Sequence, residues 1–122
     1  MAYTLTLSVS YDPVGEAVDF EGYLYKDGVG LSGYGIIIYQ TDVQGNIIER
    51  VYYTVTDVEP AGHYYGYVIK QDIPRELWGK PIYFRSYSES HGIYSPVRSV
   101  IVPPGMRLEQ NILEEPQIVI MR

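Results

Sequence analysis

The chain has 122 residues, 46% of them apolar and 20% charged, which fits one folded domain and excludes a disordered chain. Its net charge is −6, with nine Lys and Arg spread thinly, so nucleic acid and anionic membranes are poor partners. Cysteine is absent, which removes disulfides and thiolate metal sites.

The N-terminal Met1-Ala2-Tyr3-Thr4-Leu5 has no basic run and no long apolar core, so it does not read as a signal peptide. No stretch approaches the roughly 20 apolar residues of a membrane span, and no membrane insertion is expected. Tyr3 to Tyr11 alternates, with Tyr3, Leu5, Leu7, Val9 and Tyr11 on one face and Thr and Ser on the other. That period marks a half-buried strand. Asp12-Pro13-Val14-Gly15 is a turn. A second strand, Ala17 to Lys26, sets Val18, Phe20, Gly22 and Leu24 against Asp19, Glu21, Tyr23 and Tyr25. Asp27-Gly28-Val29-Gly30 breaks it.

The third strand, Tyr34 to Thr41, holds Ile36-Ile37-Ile38-Tyr39 and is apolar on both faces, as a central strand would be. After the turn at Asp42 to Asn46 a fourth strand runs from Ile47 to Thr56, and a fifth from Tyr64 to Lys70. The connection Asp72 to Pro81 contains Pro74-Arg75-Glu76-Leu77-Trp78-Gly79, which predicts one helical turn. Leu77 and Trp78 are expected to plug the end of the core. Ile82 to Ser88 and Ile93 to Val102 are the sixth and seventh strands, joined by Glu89-Ser90-His91-Gly92. Aspartates at 12, 27, 42, 57 and 72, fifteen residues apart, are the measure of one strand plus one turn. If successive turns alternate between the two ends of the fold, Asp12, Asp42 and Asp72 share one pole, and Asp27, Asp57 and the 89–92 loop share the other.

Short strands at regular spacing with no amphipathic helix predict an all-β sandwich or barrel. Seven antiparallel strands favour the immunoglobulin-like sandwich. Glu21-Gly22-Tyr23-Leu24-Tyr25-Lys26-Asp27-Gly28-Val29-Gly30-Leu31-Ser32-Gly33-Tyr34-Gly35-Ile36-Ile37-Ile38-Tyr39 resembles the second and third strands of prokaryotic and viral immunoglobulin-like domains of surface and virion proteins. Ala61-Gly62-His63-Tyr64 and Tyr94-Ser95-Pro96-Val97-Arg98-Ser99-Val100 are similar to that family's later strands. The resemblance covers about residues 3 to 102. It implies a fold, brings no catalytic residues with it, and lacks the core Trp and paired Cys of antibody domains. Residues 1–104 are thus expected to form the sandwich, and 105–122 a C-terminal extension.

Chemistry has few candidates. Clustered loop-tip aspartates suit calcium, but no compact loop repeats Asp at close spacing, and turn chemistry accounts for them. Asp57, Glu59 and His63 form the tightest acid–His group, with His91 expected near that pole; exposed loop polarity is the plainer account, and no metal or other cofactor is expected. No Gly-x-Ser-x-Gly elbow occurs, Glu114-Glu115 sits in the tail, and Asp27-Gly28-Val29-Gly30 is followed by no Lys and no helix, so it is not a phosphate loop. The chain is not expected to be an enzyme.

Fourteen Tyr against two Phe and one Trp is the unusual count. Tyr23, Tyr25, Tyr52 and Tyr64 are the candidates for an exposed aromatic surface. Outward rings could stack on carbohydrate, lie in a protein interface, or simply cover the sheet as cross-strand pairs. After Pro103-Pro104-Gly105 come Leu108, Ile112, Leu113 and Ile118-Val119-Ile120-Met121, too apolar for a solvated tail. These residues are the candidate subunit contacts. The arm is expected either to pair as an extra edge strand of its own domain or to dock on a neighbouring subunit. The sequence therefore reads as a structural subunit of a virion or extracellular surface assembly whose partner is protein, a second copy or another subunit. The alternative is a carbohydrate-binding or adhesion module using exposed tyrosines.

Overall fold

The computed structural model describes residues 2–32, 34–55 and 60–105, with the side chains of 49–55 and 60 excepted. The described residues form β1 (Tyr3–Leu5), β2 (Ser8–Asp12), β3 (Ala17–Lys26), β4 (Val29–Gly30), β5 (Ile36–Thr41), β6 (Ile47–Val55), β7 (His63–Ile69), β8 (Pro81–Ser88), β9 (Ile93–Tyr94) and β10 (Arg98–Ile101). Every pairing is antiparallel, and the strands divide into two five-stranded sheets.

In the first sheet β3 is central. It carries β1 and β2 on one edge and β4 and β7 on the other. β1 and β2 share one register against β3, since Leu5 faces Leu24 and Ser8 faces Glu21. They are one long strand with a gap at Thr6 and Leu7. The gap has a local cause. Tyr23 N donates to Thr6 Oγ1 at 2.8 Å, so the hydroxyl takes the ladder place of the carbonyl. The Thr6 carbonyl accepts from the Tyr64 hydroxyl, and the Leu7 carbonyl accepts from Arg98 Nε at 2.9 Å. The Thr6 carbonyl is thus turned from the ladder to a side chain of β7, while the Leu7 carbonyl, which faces away from β3, meets a side chain of β10.

In the second sheet the order is β10-β8-β5-β6, with β9 beside β8. β5 is flanked on both sides, in keeping with its two apolar faces. The β5–β6 register shifts on either side of Tyr39. The seventh predicted strand, Ile93 to Val102, is two: Ser95-Pro96-Val97 separates β9 from β10, because Ser95 Oγ accepts from Ser86 N and donates to the Pro96 carbonyl.

The core lies between the sheets. Leu5, Leu7, Val18, Phe20, Leu24, Tyr64 and Val68 meet Ile36, Ile38, Ile82, Phe84 and Val102. Phe20 and Phe84 pack edge to face with centroids 5.1 Å apart. Each fully buried large apolar side chain here contributes about 1.5–3 kcal/mol relative to exposure. Residues Arg75–Leu77 form the single turn predicted between Pro74 and Gly79, of the tighter 3-10 kind. Trp78 closes the core at this pole, its Nε1 donating to the Ile73 carbonyl at 3.1 Å. Lys70 lies just past the end of β7, not in the fifth strand as its sequence position predicts, and its backbone N donates to the Glu16 carbonyl at 2.8 Å. That bond sets the β2–β3 turn beside Lys70–Asp72. At the other pole Asp27 Oδ1 accepts from Ala2 N at 2.9 Å, and His91 packs on Tyr3.

Candidate functional site

Strand alternation leaves two outer faces, and tyrosines occupy both. On the second sheet the rings serve the sheet itself. Tyr87 lies between Tyr39 and Tyr94, at centroid distances of 6.4 and 4.5 Å. The Arg85 guanidinium sits 4.6 Å over the Tyr94 ring and donates to the Ser95 and Gly45 carbonyls. These are cross-strand pairs with a fully engaged cation.

The first sheet differs. Its outward positions form rows in which Thr6, Tyr23 and His63 stand abreast, then Ser8, Glu21 and Tyr65, then Ser10, Asp19 and Tyr67. Tyr25 and Tyr23 stack with planes 7° apart and centroids 5.7 Å apart. Tyr23 meets His63 across the strands at 5.1 Å, and His63 stacks on Tyr65 at 5.6 Å. The result is an unbroken line of rings crossing from β3 to β7, with Tyr67 next along β7. Tyr65 and Tyr67 are each 58% exposed and Tyr23 is 38% exposed, whereas Tyr25 is half-buried. His63 Nε2 lies 2.7 Å from Glu21 Oε2, a hydrogen-bonded pair in the middle of the line.

Acids mark the far end of this face. Partial burial first, and the nearby charge of Asp12 second, raise the Asp19 carboxyl above the usual carboxylate range. The outward positions of β1, β2, β3 and β7 carry no Lys or Arg. Among the described residues no three His, Asp or Glu side chains come together as a metal-holding group.

Of the four tyrosines singled out from sequence, Tyr64 requires correction. It is 1% exposed and points into the core, and Tyr65 is the ring its pair sends outward. The reason is parity: Tyr64, Gly66 and Val68 share the inner side of β7, and Tyr65, Tyr67 and Ile69 the outer. Val68 and Ile69 are both aliphatic and point to opposite sides, so the sequence alone did not say which tyrosine faces in. The Glu21–His63 pair is a different matter, because 42 residues separate its members and only the β3–β7 register joins them. The Tyr52 side chain lies outside the described residues, as do Asp57, Glu59 and the arm residues Leu108, Ile112, Leu113, Ile118, Val119, Ile120 and Met121.

Where the chain approaches the arm, its path is fixed. Gly79 N donates to the Val102 carbonyl at 2.7 Å. Lys70, 1% exposed, sends its Nζ to the Gly105 carbonyl and over the Trp78 ring, 4.4 Å from the centroid. Arg75 stacks on the same indole at 4.9 Å. Among the described residues this buried ammonium meets one carbonyl and one ring face, a costly arrangement. Nothing in the sequence pattern distinguished Lys70 from a surface lysine.

No family model matches the chain, and no curated protein or solved structure matches it significantly.

Proposed function

We propose that this protein is a non-enzymatic structural subunit of a virion or an extracellular surface assembly. Its body is a seven-stranded immunoglobulin-like sandwich, and the segment from Met106 onward docks on a neighbouring subunit. Counting β1 with β2 and β9 with β10 leaves seven long strands beside the short β4. The first, second and fifth of them share one sheet, and the third, fourth, sixth and seventh the other. In immunoglobulin-like sandwiches the same strands divide that way, apart from the fourth, which joins either sheet in different members. The observation that carries the assembly role is the clamp at residues 102–105. Lys70 and Gly79 hold the chain there, so the apolar segment beyond it is launched from a fixed point on a rigid body.

Sedimentation equilibrium tests this. The full chain should self-associate, and a chain ending at Gly105, which keeps the carbonyl used by Lys70, should not. If both are monomeric at high concentration, self-assembly is ruled out and docking on a copy of itself fails.

The exposed ring line on the first sheet favours a second reading, a carbohydrate-binding or adhesion module. Tyr65 and Tyr67 are each 58% exposed on this face, and Tyr23, beside Tyr25 and His63, is 38% exposed. A glycan array separates the two readings, since the first predicts no glycan binding.

A further inference from the structure

The two sheets of the sandwich end in four edges, and they are not equally protected. We infer that the open edge of β7 is the acceptor for the C-terminal arm of a second copy of the chain, with Gln117 to Met121 adding to it as a further strand. This rests on the arm-docking reading and names the surface that the arm meets.

An edge strand is kept from pairing by breaks, bulges, prolines or short length. The edge formed by β1 and β2 is broken at Thr6 and Leu7, where Arg98 of β10 takes the Leu7 carbonyl. β10 is four residues long and lies between Pro96 and Pro103-Pro104. β6 shifts register against β5 on either side of Tyr39. β7 has none of these devices. It is seven residues long, pairs with β3 along its whole length without a shift, and contains no Pro, Lys or Arg.

The ladder shows which of its groups lie on the open side. Tyr23 turns both its N–H and its carbonyl to Thr6. Backbone direction alternates along a strand, so Gly22, Phe20 and Val18 turn to β7, opposite Tyr64, Gly66 and Val68. Tyr65, Tyr67 and Ile69 therefore aim their N–H and carbonyl groups away from β3, and no strand among the described residues meets them. Beside this edge stand the side chains of Tyr65 and Tyr67, each 58% exposed, and of Ile69, 40% exposed. Asp19 and Glu21 are one strand further in, on β3. An uncharged, apolar strand suits such an edge. Gln117-Ile118-Val119-Ile120-Met121 has that composition, and its five residues match the five from Tyr65 to Ile69.

The length of the arm selects a second copy. Lys70, next after the end of β7, holds Gly105, so the arm starts beside its own β7. A return to that strand would use a loop of about two to five residues. Eleven residues, 106–116, lie between Gly105 and Gln117. Such a length spans up to about 36 Å when extended, against about 23 Å for the whole of β7. The strand-forming residues thus sit on a tether longer than the edge itself. Each copy has one arm and one edge, and two copies facing each other fill both edges by exchange.

Hydrogen exchange of the full chain, followed by NMR at low and high protein concentration, tests this. On association the amides of Tyr65, Tyr67 and Ile69 should exchange at least tenfold more slowly than in the dilute monomer, and those of the β10 edge should be unchanged. Val119→Pro should abolish association and protection together. Tyr67→Pro removes an edge N–H without touching the β3 ladder and should also abolish association, whereas Tyr67→Ala keeps the N–H and should retain it. The exchange measurement needs no substitution, so it decides even where a proline variant fails to fold. Association without slower exchange at the three amides, or undiminished by Tyr67→Pro, would overturn the β7 edge while leaving arm docking standing. Protection that survives Val119→Pro would overturn the arm as the occupant. Full protection in the dilute monomer, or no association at any concentration, would overturn both the edge on a second copy and the self-docking on which it rests.

Discussion

The Tyr64 hydroxyl ties the two sheets together through one buried oxygen. It donates to the Thr6 carbonyl and is bonded to Ser86 Oγ at 2.9 Å; with its single proton given to Thr6, it accepts from the serine. Burial drives its ionisation far above the ordinary phenol range, with the Ser86 bond opposing, so it remains a donor. Tyr64→Phe keeps the ring and removes both bonds, leaving Thr6 and Ser86 with unmet partners. It should cost about 1–3 kcal/mol, read as a lower urea midpoint with an unchanged slope. Gly22 lies opposite this hydroxyl. A Cβ there would come within 2.2 Å of the Thr6 carbonyl oxygen and 2.5 Å of the Tyr64 oxygen, and the first of these is backbone. Gly28 makes a contrast: its φ is +83°, but a Cβ there would meet nothing within 4 Å. Gly28→Ala should therefore cost only the left-handed backbone penalty of about 1–2 kcal/mol. Gly22→Ala should cost more, about 3 kcal/mol, by displacing the strand. Equal losses in parallel denaturant titrations would contradict the packing account of Gly22.

Among the elements, the turns were most open to reading from sequence. Asp27 and Gly28 have φ of 52° and 83°, the two left-handed residues of a two-residue hairpin joining β3 to β4. Asp42 organises the β5–β6 turn. Its Oδ1 accepts from Gln44 N and Asn46 N, both at 2.9 Å, and its Oδ2 from Asn46 Nδ2 at 3.0 Å. The side-chain bond from Asn46, followed by its backbone bond, holds the Asp42 carboxyl below its usual range. A carboxyl whose pKa is lowered by folding stabilises the fold above its unfolded pKa, and that contribution is lost as pH falls through the folded value. Asp42→Asn keeps one acceptor and loses the charge. The variant should be less stable than the parent near neutrality, and the two should converge on acidification from about pH 5 downward, in denaturant midpoints taken across that range. Asp19 has the opposite sign. Its raised pKa means folding opposes its ionisation, so its contribution weakens stability as pH rises past the unfolded value. Of the aspartates fifteen residues apart, Asp12, Asp27 and Asp42 accept backbone N–H bonds at turns. The Glu16–Lys70 contact brings the Asp12 and Asp72 loops to one pole, and Asp57 lies outside the described residues.

At the scale of the whole molecule, the two outer faces both carry tyrosines but differ in charge. One gathers its rings around Arg85, and the other joins its rings to the Glu21–His63 pair and leaves Tyr65 and Tyr67 mostly exposed. The clamp at Val102–Gly105 closes the body before the arm begins. Removing residues 106–122 should therefore leave the thermal midpoint within a few degrees of the full chain at low protein concentration, while changing its association state. A large drop in the midpoint of the monomer would show that the arm belongs to its own sandwich instead of a neighbour. Sequence by itself determined what depends on neighbours along the chain. The alternation of Val18, Phe20, Gly22 and Leu24 fixed the inner face of β3, and short polar side chains and glycine fixed the turns, because period-two burial and left-handed backbone are local preferences. Tertiary structure decided what depends on register between distant strands. Glu21 meets His63, Tyr64 meets Thr6, and Lys70 meets Gly105 only after sheets pair and stack, since the energy of each contact lies in a partner from 35 to 58 residues away.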